Sequence, residues 1–409
     1  MDYRAIPDEH ETAFDDVLVY AFSPERGPDY EPEGPDRPAS FQPRGLYEDD
    51  GGDRDDPATE TLAAVCGYYD FSARIRGGIR DVAGVSAVAS PPEMRRRGLV
   101  RDLLGHVHRE LRDADVAFAA LWPFEYSFYR RLGYERIGEY ARIEVAPEAL
   151  ASACPDPAGA FERLDADAWP RLDAVYDEWA GDEFRLDRGE GWWRHRVFES
   201  WETDPYVYGW TDGDRGDSLR GYLVYTIRDE DGSDGRALTV NEFAARDREA
   251  RRQLLRFCRD HDSQVERVRF TGPADTRLFD DLDDPQAAET EIRPGPMARV
   301  VDVESALAAI EYPADLETTL VFDVRDDSCE WNDDRFRLRV ADGRGTVDRV
   351  ADADAEVVLD IGALARLVVG SHSANRLVEL GAVDTEGEAT QPALAAAFPP
   401  TNPFLREGF

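Results

Sequence analysis

Lysine is absent from this 409-residue chain: all 48 basic side chains are arginine, set against 86 Asp plus Glu for a net charge of −38. A field of that sign repels phosphate backbones and anionic lipid, so nucleic-acid or membrane-surface binding would need a segregated basic face, and the sequence shows none. Long apolar runs are missing too. No stretch of about 18 apolar residues occurs, and Met1 to Pro7 has no basic segment leading into an apolar one, so a cytoplasmic protein without span or export signal is expected. Cysteine is scarce: Cys66, Cys154, Cys258 and Cys329 form no C-x-x-C pair and are expected to be buried thiols. His106 and His108 stand two apart on a helix, face different directions and cannot chelate one ion, so they read as surface or cap residues. No metal site is expected.

What is present suffices for real cores: 42% hydrophobic and 11% aromatic residues rule out a disordered acidic chain, and the length suggests two or three domains. Carboxylates hold water and hydrated cations, and at molar salt a Debye length of about 3 Å cancels their repulsion. The composition resembles that of cytoplasmic proteins of salt-in halophilic microbes. Acid clusters such as Asp53, Asp55, Asp56 and Asp229, Glu230, Asp231, Asp234 then read as solvated loops.

Along the chain, residues 11–23 start helical and turn extended, and Pro24–Gly52, dense in Pro, Gly, Asp and Glu, reads as a loop. Thr61–Tyr69 and Val82–Ala89 read as strands. After Gly98, Leu99, Leu103, Val107 and Leu111 recur every four residues and predict an amphipathic helix. A strand at Val116–Leu121, a short helix at Glu125–Leu132 and a closing strand at Tyr140–Val145 complete a first unit, residues 1–150. A second unit, 160–300, repeats the order: a helix with Trp169, Leu172, Tyr176 and Trp179, strands near 206–210, 221–227 and 237–243, and a helix carrying Leu254, Leu255 and Cys258. Aligning Leu254 and Leu255 with Leu103 and Leu104 sets an offset of 151 residues and puts Glu249 where Gly98 stands. Trp192, Trp193, Trp201 and Trp210 read as core of this unit. The third unit, 301–409, has strands at 320–324, 336–340 and 357–360 and a helix at 361–369.

The informative stretch is Val85-Ser86-Ala87-Val88-Ala89-Ser90-Pro91-Pro92-Glu93-Met94-Arg95-Arg96-Arg97-Gly98-Leu99-Val100. A strand running into an Arg/Gly turn at a helix N-terminus offers unpaired N–H groups, a favourable dipole and arginines, which suits a pyrophosphate. An arginine-rich helix cap is the plainer alternative. The turn resembles the R/Q-x-x-G-x-G/A turn of the GNAT acetyltransferases, with Arg95, Gly98 and Val100 at the motif positions and valine replacing the usual second small residue. Phe128-Tyr129-Arg130-Arg131-Leu132-Gly133-Tyr134-Glu135 resembles that family's helix-to-strand segment.

The whole layout resembles the Eis (enhanced intracellular survival) acetyltransferases. That likeness implies an α/β and α+β architecture of tandem GNAT domains, the second degenerate, followed by a sterol-carrier-like α+β domain seen in Trp331, Arg335–Val340, Ala353–Leu359 and Ile361–Val369. It implies acetyl-CoA as substrate, Tyr129 as general acid and the α-carboxylate of the terminal Phe409 as base. It further implies cofactor contacts at Val88, Ala89 and Ser90 by backbone, at Arg96, Arg97, Gly98, Leu99, Val100 and Arg101 in the turn, and at Phe124 and Glu125. Tyr126, one helical turn before Tyr129, and Tyr134 are the nearby rivals for the acid. The apolar, proline-stiffened tail Ala396–Pro403 with Phe404, Leu405 and Phe409 fits a chain end that is held in place; a tail that only packs on the third domain is the alternative.

The expected activity is direct acetyl transfer to a primary amine, with no serine or cysteine in a nucleophile setting. An acidic cleft would draw a polycationic acceptor such as a polyamine, an aminoglycoside-like amine or a protein lysine, with Glu407 a candidate for a second ammonium group. Glu249 would bar CoA from the second domain. The resemblance also implies a homo-oligomer, a hexamer. The rival reading is a non-catalytic protein that binds CoA or an apolar ligand through the sterol-carrier-like domain.

Overall fold

The computed structural model describes residues 1–27, 30, 37–48, 61–181, 183–200, 203–213, 218–229 and 235–409. Asp53, Asp55, Asp56, Trp201, Glu230, Asp231 and Asp234 lie outside the described residues. The first strands are β1 (Asp2–Ala5), β2 (Phe41–Glu48), β3 (Thr61–Ile75), β4 (Gly78–Ala89), β5 (Phe118–Leu121) and β6 (Glu135–Arg136), with helices α1 (Glu11–Phe22), α2 (Leu99–Asp113) and α3 (Tyr126–Arg130). Then come β7 (Glu139–Val145), β8 (Ala160–Arg163), β9 (Tyr206–Thr211), β10 (Gly221–Asp229), β11 (Arg236–Ala245), β12 (Arg267–Pro273), β13 (Ala288–Pro294) and β14 (Met297–Val300). Among them lie α4 (Trp169–Trp179), α5 (Glu190–Trp192), α6 (Arg248–Arg259) and α7 (Leu278–Asp281). The last part carries β15 (Thr318–Arg325), β16 (Asp334–Ala341), β17 (Arg344–Arg349), β18 (Val357–Asp360) and β19 (Val383–Thr385), with α8 (Val303–Ala309), α9 (Ile361–Val369), α10 (Ala374–Glu379) and α11 (Thr390–Ala397).

Three sheets result, ordered β1-β2-β3-β4-β5-β14-β6, β13-β7-β12-β11-β10-β9-β8 and β17-β16-β15-β18-β19. The duplication is visible in the connections: β4 pairs with β5 in parallel through the α2 crossover, and β11 pairs with β12 in parallel through α6. Helix α2 buries Leu99, Leu103, Leu104, Val107 and Leu111 against the first sheet, about 1.5–3 kcal/mol for each large side chain.

The strand at 140–145 does not close the first sheet. As β7 it runs between β12 and β13 of the second sheet, while β14 enters the first sheet between β5 and β6. The four-residue β5 is wholly buried, and β14 pairs the edge it would otherwise leave open. Two other readings change. Helix α1 continues through the apolar run to Phe22 instead of turning extended, and the segment read as a loop contains β2. Pro43 pairs with Gly67 of β3 and lies just past the end of the β1 pairing, where its carbonyl accepts from the Ile6 N–H at 3.2 Å.

The third domain packs directly on the first. A continuous apolar core joins Ile75 and Phe118 of the first sheet, Ile137 just after β6, Phe184 and Leu186, and Phe322, Phe336, Leu364 and Phe398. The β3–β4 turn reaches into it: Arg76 is 5% exposed and donates to the carbonyls of Val368 (2.6 Å) and Leu367 (2.9 Å) at the C-terminal end of α9. His108 is not a surface residue. It is buried on the inner face of α2, its Nε2 2.9 Å from the Tyr134 hydroxyl and its Nδ1 3.7 Å from Cys329 Sγ, whereas His106 is half-buried and stacks on Tyr3. Of the four free thiols, Cys154 is only half-buried.

Candidate active site

The site begins where β4 breaks its ladder. Gly67 pairs with Ser86 and Val65 with Ala89, so Ala87 and Val88 together oppose Cys66, and Ala87 takes a left-handed φ of 53°. Such a bulge leaves backbone polar groups without ladder partners and bends the strand. Val85 to Val88 line a cavity of about 1060 Å³, and Tyr129, Phe124, Trp122, Tyr69 and Phe409 line it with them. Ala89 is buried, and Val88 and Ser90 are half-buried.

Beyond the turn, Gly98 is the N-cap of α2 with φ +83° and no side-chain capping bond. A Cβ there would meet nothing within 4 Å, so the handedness of the backbone, not crowding, asks for glycine, and the first N–H groups of the helix stay open to an anion. Arg95, Arg96, Arg97 and Arg101 are exposed around this end, Leu99 is buried and Val100 half-buried, so the last two present only backbone. Arg97 pairs with Glu48 at 2.5 Å and Arg95 lies over the Tyr20 ring, while Arg96 and Arg101 make no ion pair among the described residues.

Glu125 is the N-cap of α3 and accepts from the Ser127 N–H at 3.1 Å, so its carboxylate is engaged by its own helix; Phe124 is 70% exposed and its ring is 5.4 Å from that of Tyr129. The three tyrosines differ in what holds them. Tyr126 donates to the Gly295 carbonyl at 2.5 Å and Tyr134 is tied to His108. Tyr129, 3% exposed, lines the cavity and its hydroxyl has no hydrogen-bond partner among the described residues. Burial pushes the Tyr129 phenol above its ordinary pKa, so it is protonated at neutral pH and has a proton to donate.

Residue 409 arrives at the same cavity from the far end of the chain. The Phe409 ring meets Phe71 edge-on at 5.0 Å and Tyr69 at 5.9 Å. Bare Gly84 makes room, since a Cβ there would lie 2.3 Å from the Phe71 ring and 3.0 Å from Phe409. Trp122 Nε1 donates to the Glu407 carbonyl at 2.7 Å and Arg196 to the Gly408 carbonyl at 2.6 Å. Glu407 itself is not free for an ammonium group. Its carboxylate is buried on Arg188 (2.6 Å) and the Tyr176 hydroxyl (2.9 Å). Nor is the described cavity wall acidic: it carries Arg26, Arg37 and Arg196 against Asp15, and Asp15 pairs with Arg37. Of the tryptophans, Trp193 and Trp210 are core, but Trp192 meets Phe71 at 5.2 Å, beside the tail.

Against known families, residues 2–137 and 185–300 each match an acetyltransferase (GNAT) domain, and 303–406 match a sterol carrier protein domain. The chain is 28% identical over 356 residues to the N-acetyltransferase Eis of Mycobacterium bovis, 84% of each chain. The chain carries two acetyltransferase (GNAT) domains and is similar to the Eis N-acetyltransferases over most of its length. An uncharacterized N-acetyltransferase of Streptomyces coelicolor is likewise 28% identical, covering 86% of this chain and 85% of its own. The crystal structure of Eis1 from Mycobacterium abscessus superposes with a TM-score of 0.75 at 26% identity over all of both chains. A probable N-acyltransferase from Enterococcus faecalis shares the fold at TM-score 0.85 and 22% identity, covering 100% of this chain and 99% of its own.

GNAT domains imply use of acetyl-CoA, and the open N-terminus of α2 fits a pyrophosphate. The corresponding end of α6 does not: the Asp247 carboxylate accepts from the Ala250 N–H at 3.0 Å and is held, with Asp212 and Glu249, by Arg220. That helix supplies its own anion. The binding-protein reading is not favoured by these matches. No group of three His, Cys, Asp or Glu side chains converges among the described residues, and none of their helices is long and apolar enough to cross a membrane. Sequence reasoning missed the contributions of Trp122, Arg196 and the left-handed Ala87. Only the last had any local trace, in the run of small residues through Ala87.

Proposed function

We propose that this Eis-like enzyme transfers acetyl directly from acetyl-CoA to a primary amine, with Tyr129 as general acid and the Phe409 α-carboxylate receiving the amine. The observation that carries this reading is that Tyr129 and Phe409, 280 positions apart in the sequence, line one cavity with the β4 bulge. In the reaction a C–N bond forms as the thioester C–S bond breaks. The amine gives up its proton toward the terminal carboxylate, and the Tyr129 hydroxyl, with no hydrogen-bond partner among the described residues, protonates the departing thiolate. Unpaired bulge N–H groups supply donors for the developing oxyanion. Gly98, Arg96 and Arg101 hold the pyrophosphate, with Val88, Ala89, Ser90, Leu99 and Val100 contributing backbone.

At low ionic strength the net charge of −38 draws polycations, which supports polyamine, aminoglycoside-like or lysine acceptors. A second reading is favoured by the wall itself: aromatic Phe41, Tyr69 and Phe124 with three arginines suit an amine on an apolar body. The test is acetyl-CoA-dependent thiol release in molar KCl with spermidine, neomycin, a lysine peptide and phenethylamine, using the full chain and a version lacking Phe409. Turnover that collapses on removing one residue from a protein that stays folded is expected. Full turnover without Phe409 refutes the role of its carboxylate.

A further inference from the structure

Chain ends fray unless tied down, and a carboxylate that must meet an amine needs a fixed position. Here the tie comes from the second GNAT domain, whose own anion site is closed. Arg188 is a buried guanidinium, 2% exposed, that donates to both oxygens of Glu242 on β11 (2.9 and 2.7 Å) and to Oε1 of Glu407 through Nε (2.8 Å) and a terminal nitrogen (2.6 Å). Its plane is covered by the rings of Tyr176, 3.8 Å away, and Trp193, 4.8 Å away. Tyr176 adds a hydroxyl donor to Glu407, and Tyr222 adds one to Glu242. Arg406 lies 4.0 Å over the Trp179 ring, and its charge favours the ionised form of Glu242.

Charge-assisted, bidentate contacts demand geometry in a way that an apolar plug does not, so a buried pair is suited to fixing register. Glu407 is two residues from the terminus, and its carbonyl and that of Gly408 already have donors in Trp122 and Arg196, which line the cavity with Phe409. A slip of one residue would displace the carboxylate by about 3.3 Å. We propose that the second domain acts as the holder of the terminal carboxylate, with Arg188 a positioning residue and Glu407 the latch that it grips. This rests on the reading of Phe409 given above.

Glu407→Ala is the informative variant, because Arg188 keeps Glu242 as its ion partner and the domain can fold. The full-length protein is compared with the variant in two assays. One is release of Phe409 by carboxypeptidase, followed by mass spectrometry; the other is kcat and KM with acetyl-CoA and whichever amine of the panel turns over fastest. The expected result is at least tenfold faster trimming and at least tenfold lower kcat, with KM for acetyl-CoA within twofold, and partial recovery of both in Glu407→Gln. Unchanged trimming overturns the latch. Faster trimming with unchanged kcat overturns its positioning role. Separately, full kcat in the protein lacking Phe409 overturns the carboxylate reading itself, whatever Glu407→Ala does to trimming.

Discussion

Tyr129→Phe and Tyr134→Phe remove the same atom from two tyrosines five positions apart, and the structure assigns them opposite outcomes. The Tyr129 hydroxyl has no hydrogen-bond partner among the described residues and faces the cavity, so its loss should change folding stability by no more than about 0.5 kcal/mol. As the general acid proposed above, it should account for an effect of roughly 10²–10⁴ in kcat, about 3–5 kcal/mol of barrier. Tyr134 is 0% exposed and its hydroxyl is bonded to the buried His108 ring, so removing it strands a polar partner and costs about 1–3 kcal/mol of stability. Its kcat should stay within a few-fold of the parent. The assay is paired: denaturant midpoints in molar KCl and thiol-release kcat for both variants at saturating acetyl-CoA. A Tyr129→Phe protein with full kcat, or a Tyr134→Phe protein that loses turnover while keeping its stability, would refute the assignment.

Three more outcomes can be checked. Gly98→Ala forces a side chain into a left-handed conformation at a cost of about 1–2 kcal/mol and disturbs the N-terminus of α2, so KM for acetyl-CoA should rise at least tenfold in steady-state kinetics while the protein stays folded. Burial and the nearby Arg299 hold the His108 pKa well below its ordinary value, so the unfolded chain binds the proton more readily. The stability that follows is present above about pH 6.5 and is lost as pH falls below it; thermal melts between pH 7.5 and 5 should show that slope, and His108→Gln should flatten it. Asp326→Asn leaves Arg299 without its buried counter-ion, both side chains being at most 1% exposed, and should cost about 3–5 kcal/mol by denaturant titration.

Local patterns were legible where local physics decides them. The four-residue recurrence from Leu99 to Leu111 is the buried face of α2 itself, and Gly98 announced a backbone that only glycine adopts without strain. The same logic failed for β2, whose Pro43 and Gly45 read as loop until β1 and β3 are seen on either side, and for the β3–β4 hairpin, where Arg76 and Gly77 form a two-residue left-handed turn. Neither sequence spacing nor composition could show that Glu407 faces Arg188 rather than solvent.

By itself the sequence determined the two crossover units, the Arg/Gly turn at a helix start and a tail too apolar to be left in water, because each follows from the periodicity and conformational limits of neighbouring residues. Only the tertiary structure decided that β7 leaves the first sheet for the second while β14 enters the first, that Arg188 of the second domain holds the tail, and that Tyr129 and Phe409 line one cavity. Those are contacts between residues hundreds of positions apart, and they are selected by which edges, rings and charges remain to be covered once the local elements have formed.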